Sequence, residues 1–175
     1  FRVIDCKRHV IEPPDLWDKG LEESFRGQVV LTLDQRDIVA VVKGRPVMRL
    51  RRNFLTHPAY EKVFAAALGA NFSAQSNLED MDREGVDAAV VTPTFGMYMV
   101  WADHVDKFLA VAMCRAYNRW MADNWKQGGG RFRWVVVVPT QNIKESQEEL
   151  EFGAANGACG MLTHGIMGDR TCVDP

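Results

Sequence analysis

One alternation constrains this chain more than any other feature. Three apolar runs, Val86–Thr92, Trp134–Val138 and Cys159–Thr163, are each preceded by a segment in which apolar residues recur at helical spacing. Strand, helix and strand in that order pack as right-handed βαβ units, whose strands lie parallel. The first helical segment carries Leu78 and Met81, with Asn77 as its expected cap, Asp80 near its positive end and Gly85 as its stop. The second is expected from about Ala102 to Trp125, where Val105, Phe108, Leu109, Ala112, Ala116, Trp120 and Met121 line one face before Gly128-Gly129-Gly130. A third is expected over Ile143–Ala155, before Gly157.

Upstream, Val3-Ile4-Asp5 opens a further strand that delivers Cys6-Lys7-Arg8-His9 at its C-terminal end, and Glu12-Pro13-Pro14-Asp15 is expected to stop regular structure. Val29–Leu33, Ile38–Val42 and Val47-Met48, with a turn at Lys43–Pro46, read as a small β-meander rather than a barrel unit. Arg49, Arg51 and Arg52 form a basic patch there, either a solvated loop or an anion contact.

Two architectures fit strands alternating with helices. A nucleotide-binding open sheet would place a glycine-rich turn after its first strand, whereas Cys6–Val10 contains no glycine. In a (β/α)₈ barrel the strand C-termini line the active site. Here they present Lys7 and His9, then Thr92-Pro93-Thr94-Phe95, then Pro139-Thr140-Gln141, then Thr163-His164.

Charge narrows the partners. With 21 Lys plus Arg against 23 Asp plus Glu, no sequence-wide field favours nucleic acid or anionic membrane, which leaves small molecules or other proteins. No apolar run reaches the ~18 residues of a spanning helix and no signal-peptide order is visible, so a cytoplasmic protein is expected. The chain starts on Phe1 rather than methionine, and an upstream segment is expected. Cys6, Cys114, Cys159 and Cys172 lack CxxC spacing and read as reduced, packed thiols.

The opening Ile4-Asp5-Cys6-Lys7-Arg8-His9-Val10-Ile11-Glu12-Pro13-Pro14-Asp15-Leu16-Trp17 resembles the start of the amidohydrolase-related family of metal-dependent hydrolases and decarboxylases, which contains aminocarboxymuconate-semialdehyde decarboxylase. Leu78–Asp87 looks like that family's first barrel helix and second strand, and Arg115–Trp120 like its second helix. The strand ending Val138-Pro139 and the segment Gly157–Gly160 continue the resemblance in order, over nearly the whole chain.

The resemblance implies a metal-centred (β/α)₈ barrel whose first strand ends in two ligands two residues apart, His-x-His, Asp-x-His or Glu-x-His. Alternate residues at a strand end point the same way, and imidazole or carboxylate offers a lone pair to a divalent cation. His9 fills the second position; the first falls on Lys7, whose ammonium has no lone pair to offer. Three explanations compete. Burial could neutralise Lys7 into a ligand or base. The metal could bind through His9, Glu12 and ligands from later strands. Or this could be an altered-site subunit whose partner has the intact centre. Lys7 could also hold a carboxylate such as Asp5 or Glu12.

The implied cofactor is a divalent metal, zinc first, with iron or manganese as alternatives, or none in this subunit. The candidate site comprises His9 as metal ligand, Lys7, Glu12, Thr94 and Phe95 as substrate pocket, and His164 for substrate contact or proton transfer. His57 and His104 have no supporting constellation, and Met97–Trp101 reads as packing, a pocket wall or an interface. The implied activity is hydrolysis or non-oxidative decarboxylation of a small organic acid or amide, within a homo- or hetero-oligomer. The alternative is a structural subunit supporting a catalytic homologue, oxygenase-type di-metal enzymes included.

Length refines the fold. An eight-stranded barrel typically takes about 250 residues, whereas this chain has 175, spends about 15–76 on an inserted excursion and shows four strands. An α/β domain over 1–175, the N-terminal half of a TIM barrel or one completed by another chain, is expected.

Overall fold

A computed structural model of the chain describes residues 1–34, 37–51, 58, 70, 73–167 and 170–171. Four strands form one parallel sheet: β1 (Ile4–His9), β5 (Ala88–Thr92), β6 (Phe132–Val137) and β7 (Ala158–Leu162), in the spatial order β1-β5-β6-β7. Each strand joins the side of its predecessor away from the earlier ones, so the order never reverses. That progression builds the arc of a barrel rather than a doubly wound sheet, which changes direction at a switch point.

Helices return the chain between strands: α2 (Ala74–Glu84), α4 (Lys107–Gln127) and α5 (Ile143–Ala155). Helix α2 ends where Gly85 adopts φ 71°, a left-handed cap that a glycine takes without strain. Its start differs from expectation. Ser73 is the cap, accepting from Ser76 N–H, and Asn77 sits inside the helix. Helix α4 begins later than the spacing alone suggests because Asp106 accepts from both Phe108 and Leu109 N–H. Its face carrying Leu109, Met113, Tyr117 and Met121 is fully buried.

A buried polar join fastens α4 to the sheet. Asn118 accepts from Val137 N–H and donates to Val137 O and to Glu149 on α5, while Arg119 also pairs with Glu149. Gly153 on α5 lets that helix approach β6 closely, since a Cβ there would fall 1.9 Å from Cγ2 of Val136.

The excursion holds α1 (Pro14–Lys19) and a separate antiparallel sheet, β2 (Val29–Asp34), β3 (Asp37–Val42) and β4 (Arg45–Arg51). Helix α1 is a correction to the sequence reading: Pro14 takes the first helical turn, where its missing N–H costs no bond. The β3–β4 hairpin turns through Lys43 (φ 49°) and Gly44 (φ 74°), the positive φ pair of a type I′ turn. Val29, Ala40 and Val42 join the common core, and Lys43 pairs with Asp106 at the start of α4. Arg49 pairs with Asp37, while Arg52 and His57 lie outside the described residues. A two-stranded hairpin, β8 (Ile166–Met167) with β9 (Arg170–Thr171), follows β7. No helix among the described residues is long and apolar enough to cross a membrane.

Candidate active site at the strand C-termini

The site begins with an irregularity in β1. Asp5 pairs with Ala89 and Arg8 with Val91, so Cys6 and Lys7 together oppose one residue, Val90. This is a β-bulge, a device that re-aims side chains. Its consequence is visible in the polar contacts. Arg8 reaches the helical layer, donating to Asn77 Oδ1 (3.2 Å) and Glu84 Oε2 (2.8 Å) on α2. Asp5 lies 3.8 Å from Arg8, and its other oxygen accepts from the backbone N–H of Lys7. The bulge thus places Asp5 with Arg8 on the outer face and leaves Lys7 with His9 on the inner one.

His9 sits opposite Thr92 in register, where β1 and β5 end. Its Nδ1 lies 2.9 Å from Pro93 O. A carbonyl only accepts, so Nδ1 carries the hydrogen of this bond and Nε2 is the ring nitrogen left for another partner. A histidine that ligates a metal has this arrangement, with the second nitrogen tied to the backbone.

Glu12 is fully buried and serves the backbone. Oε2 accepts from Thr94 N–H (3.2 Å) and Phe95 N–H (3.0 Å), and Oε1 from Gly96 N–H (2.7 Å), at the start of α3 (Gly96–Met99). Burial pushes its carboxyl above the ordinary value, against the opposing effect of these N–H groups. Gly96 is needed there, because a Cβ would meet Oε1 at 3.1 Å. Both oxygens being committed, Glu12 positions the β5–α3 turn instead of opening onto a pocket. Phe95 is likewise fully buried in the core, so its ring packs among apolar neighbours, whereas Thr94 stays partly exposed at the rim.

His164 is exposed just beyond β7, with its ring 4.7 Å from that of Trp101. Trp101 in turn donates to Val138 O beyond β6. Of the Met97–Trp101 cluster, Met99 and Val100 are packed into the core and Tyr98 is exposed. His104 donates to Val42 O and ties the meander to the loop before α4. Cys114 is buried, and burial raises its thiol pKa well above the usual value, whereas Cys6 and Cys159 are exposed. Cys172 lies outside the described residues.

Two rim clusters therefore stand at the strand ends, His9 with Pro93 and His164 with Trp101. A groove of ≈ 680 Å³ lies elsewhere, among Leu16, Lys19, Ala112, Arg115, Arg119 and Trp120 on α1 and α4. The rim, not this outer groove, holds the residues with chemistry of the expected kind.

The model of the amidohydrolase family matches residues 4–171. The chain belongs to the amidohydrolase family. Solved structures agree with the arc as part of a TIM barrel. An amidohydrolase from Mycobacterium avium subsp. paratuberculosis K-10 is similar at TM-score 0.67 and 21% identity, over 90% of this chain and 48% of that one. A 2,6-dihydroxybenzoate decarboxylase from Rhizobium is similar at TM-score 0.54 and 16% identity, over 98% of this chain and 42% of that one. A dihydroxybenzoic acid decarboxylase from Polaromonas sp. JS666, solved with manganese and the inhibitor 2-nitroresorcinol, gives 0.52 and 17%, over 94% and 38%. This amidohydrolase-family chain thus spans less than half the length of each. No curated protein matches it.

A family metal can be tested against the residues present. Nε2 of His9 fits such an ion. Lys7 does not, Glu12 is committed to backbone, and no three His, Cys, Asp or Glu side chains among the described residues gather closely enough to hold one. The described residues alone do not make a metal centre.

Proposed function

We propose that this chain is the first-half portion of a hydrolase or non-oxidative decarboxylase acting on a small organic acid or amide, with residues 15–76 as an insertion into its barrel domain. The observation that carries this reading is His9. It stands at the C-terminal end of the first barrel strand, with Nδ1–H anchored on Pro93 O and Nε2 presented. In this reading His9 is one ligand of a divalent metal, the others come from outside the described residues, and Thr94 and His164 border the substrate. Zinc, iron and manganese are the candidate ions, and manganese in the Polaromonas decarboxylase supports a divalent ion of this kind.

Elemental analysis of the full-length protein, alone and in its native assembly, tests the reading. We expect a stoichiometric divalent metal in the assembly, lost on His9→Ala together with turnover of 2,6-dihydroxybenzoate or of a small amide. Full metal content and turnover in His9→Ala would sink it.

Lys7 favours a second reading, a structural subunit with an altered site beside a catalytic homologue. Under that reading His9→Ala changes neither the metal content nor the activity of the assembly, while deleting the chain lowers both.

A further inference from the structure

We propose that Glu12 is a positioning residue for His9, acting through the single peptide unit that joins Pro93 to Thr94. The inference deepens the reading above and rests on it, since orienting His9 bears on turnover only where His9 serves the site. The carbonyl of that unit, Pro93 O, accepts from His9 Nδ1 at 2.9 Å, and its N–H, that of Thr94, donates to Glu12 Oε2 at 3.2 Å. A trans peptide is planar and points its C=O and N–H in opposite directions, and no peptide bond among the described residues is cis. The two side chains therefore hold one rigid plane from its two sides.

The backbone on either side of this unit is anchored too. Val10 N–H donates to Thr92 O at 2.9 Å just before it, and Phe95 and Gly96 N–H donate to Glu12 just after it. The ring of Pro93 restricts its own φ, which leaves the carbonyl little freedom between these anchors. An acceptor on the Thr94 N–H also polarises the peptide and strengthens its C=O as an acceptor. Which ring nitrogen of a histidine carries the hydrogen is set by the bond the other atoms around it offer, so the held carbonyl keeps the hydrogen of His9 on Nδ1.

Capping the short helix α3 would need only the bonds to Phe95 and Gly96. The bond to Thr94 is the one that reaches the peptide facing His9. Its setting is dry: Glu12 is fully buried, and a Cβ on Gly96 would lie 3.1 Å from Oε1 and 3.8 Å from the ring of the equally buried Trp17. Hydrogen bonds shielded from water in this way are electrostatically stronger than exposed ones and leave their partners fewer alternatives.

The test reads the ring nitrogens of His9 by NMR in alkaline buffer. It uses the full-length protein in its native assembly, with labelled histidine and metal removed by a chelator, and His9→Ala assigns the signals. In the wild type the predominant form should carry its hydrogen on Nδ1. Glu12→Gln should raise the share of the Nε2–H form roughly fivefold or more, as expected from losing about one hydrogen bond. Val136→Ala, a core truncation against α5, should leave the ratio unchanged, which separates positioning from a general loss of stability. If Glu12→Gln does not fold, Gly96→Ala replaces it, because its Cβ would crowd Oε1 at 3.1 Å and should move the ratio the same way. A predominant Nε2–H form in the wild type overturns the proposal, as does an unchanged ratio in the folded variant or an equal shift in Val136→Ala. The metal analysis above fails independently: a Glu12-dependent ring without metal in the assembly leaves this proposal standing and removes the metal reading, and metal lost in His9→Ala beside a Glu12-independent ring does the reverse.

Discussion

Strands β5 and β6 differ from β1 and β7 in what flanks them, and stability and chemistry divide along the same line. The inner pair is hydrogen-bonded on both edges and supplies fully buried Ala89, Val91, Trp134 and Val137. Among the described residues the outer pair each has one neighbour in the sheet, with Ile4 58% and Met161 49% exposed. Bulges mark the outer pair: β1 carries Cys6-Lys7 against β5, and the β6–β7 register shifts between Trp134 and Val135. Each of these bulges interrupts the one ladder that its strand forms among the described residues. One of these two outer strands, β1, presents Lys7 and His9.

The largest effect expected from this contrast lies at the centre. Trp134 is fully buried and donates to Asn156 O, so Trp134→Ala should cost about 3–5 kcal/mol, read from the urea midpoint. Met161→Ser on β7 should cost far less, within about 0.5 kcal/mol. Similar losses at the two positions would show that the outer strands are as closely packed as the inner ones, and the contrast would fail.

A somewhat smaller loss is expected at Glu12, where the two regions meet. Glu12→Gln keeps the shape but turns an amide N–H₂ toward at least one of three N–H donors, so a loss of about 2–3 kcal/mol is expected. Because the carboxylate positions the turn after β5, this variant should also shift the His9 ring resonances, which are read by NMR. A stability loss with unchanged His9 signals would separate the core from the rim.

The sequence made the centre readable and the rim only in part, for physical reasons. The α5 bounds Ile143–Ala155 and the left-handed Gly85 follow from periodicity and glycine chemistry, both local properties. The apolar run Trp134–Val138 was equally plain, since a segment covered on both faces is apolar, and it falls on β6, which ends at Val137. The bulge was not legible, because a register shift belongs to the pair β1–β5 and no single strand encodes it. Nor was the role of Glu12, whose partners Thr94, Phe95 and Gly96 lie more than eighty residues away. Asn77 looked like a cap because Asn often is one, yet Ser73 takes that place and Asn77 accepts from Arg8. Lys7 and His9 were visible as residue types at the right spacing, but only the contacts of Asp5 and Arg8 show which face they share.

The smallest effect concerns the join between the arc and the meander, and it has a defined pH sign. Asp106 caps α4 and pairs with Lys43. The Lys43 hydrogen bond, then the Leu109 N–H, hold its carboxyl below the ordinary aspartate value of 3.8. A depressed carboxyl contributes stability that is full above the unfolded-state value and is lost as pH falls through the folded one. Asp106→Asn keeps a capping oxygen and removes the charge, so at neutral pH it should cost no more than about 1 kcal/mol, given the exposure of both partners. That difference should shrink as the pH falls below about 4, measured as urea midpoints across pH. A difference that stays constant into acid would mean the cap, not the ion pair, fastens the meander to α4. The join would then be local to the helix, and the meander would be held on the arc by the burial of Val29, Ala40 and Val42 and by the His104 hydrogen bond to Val42 O.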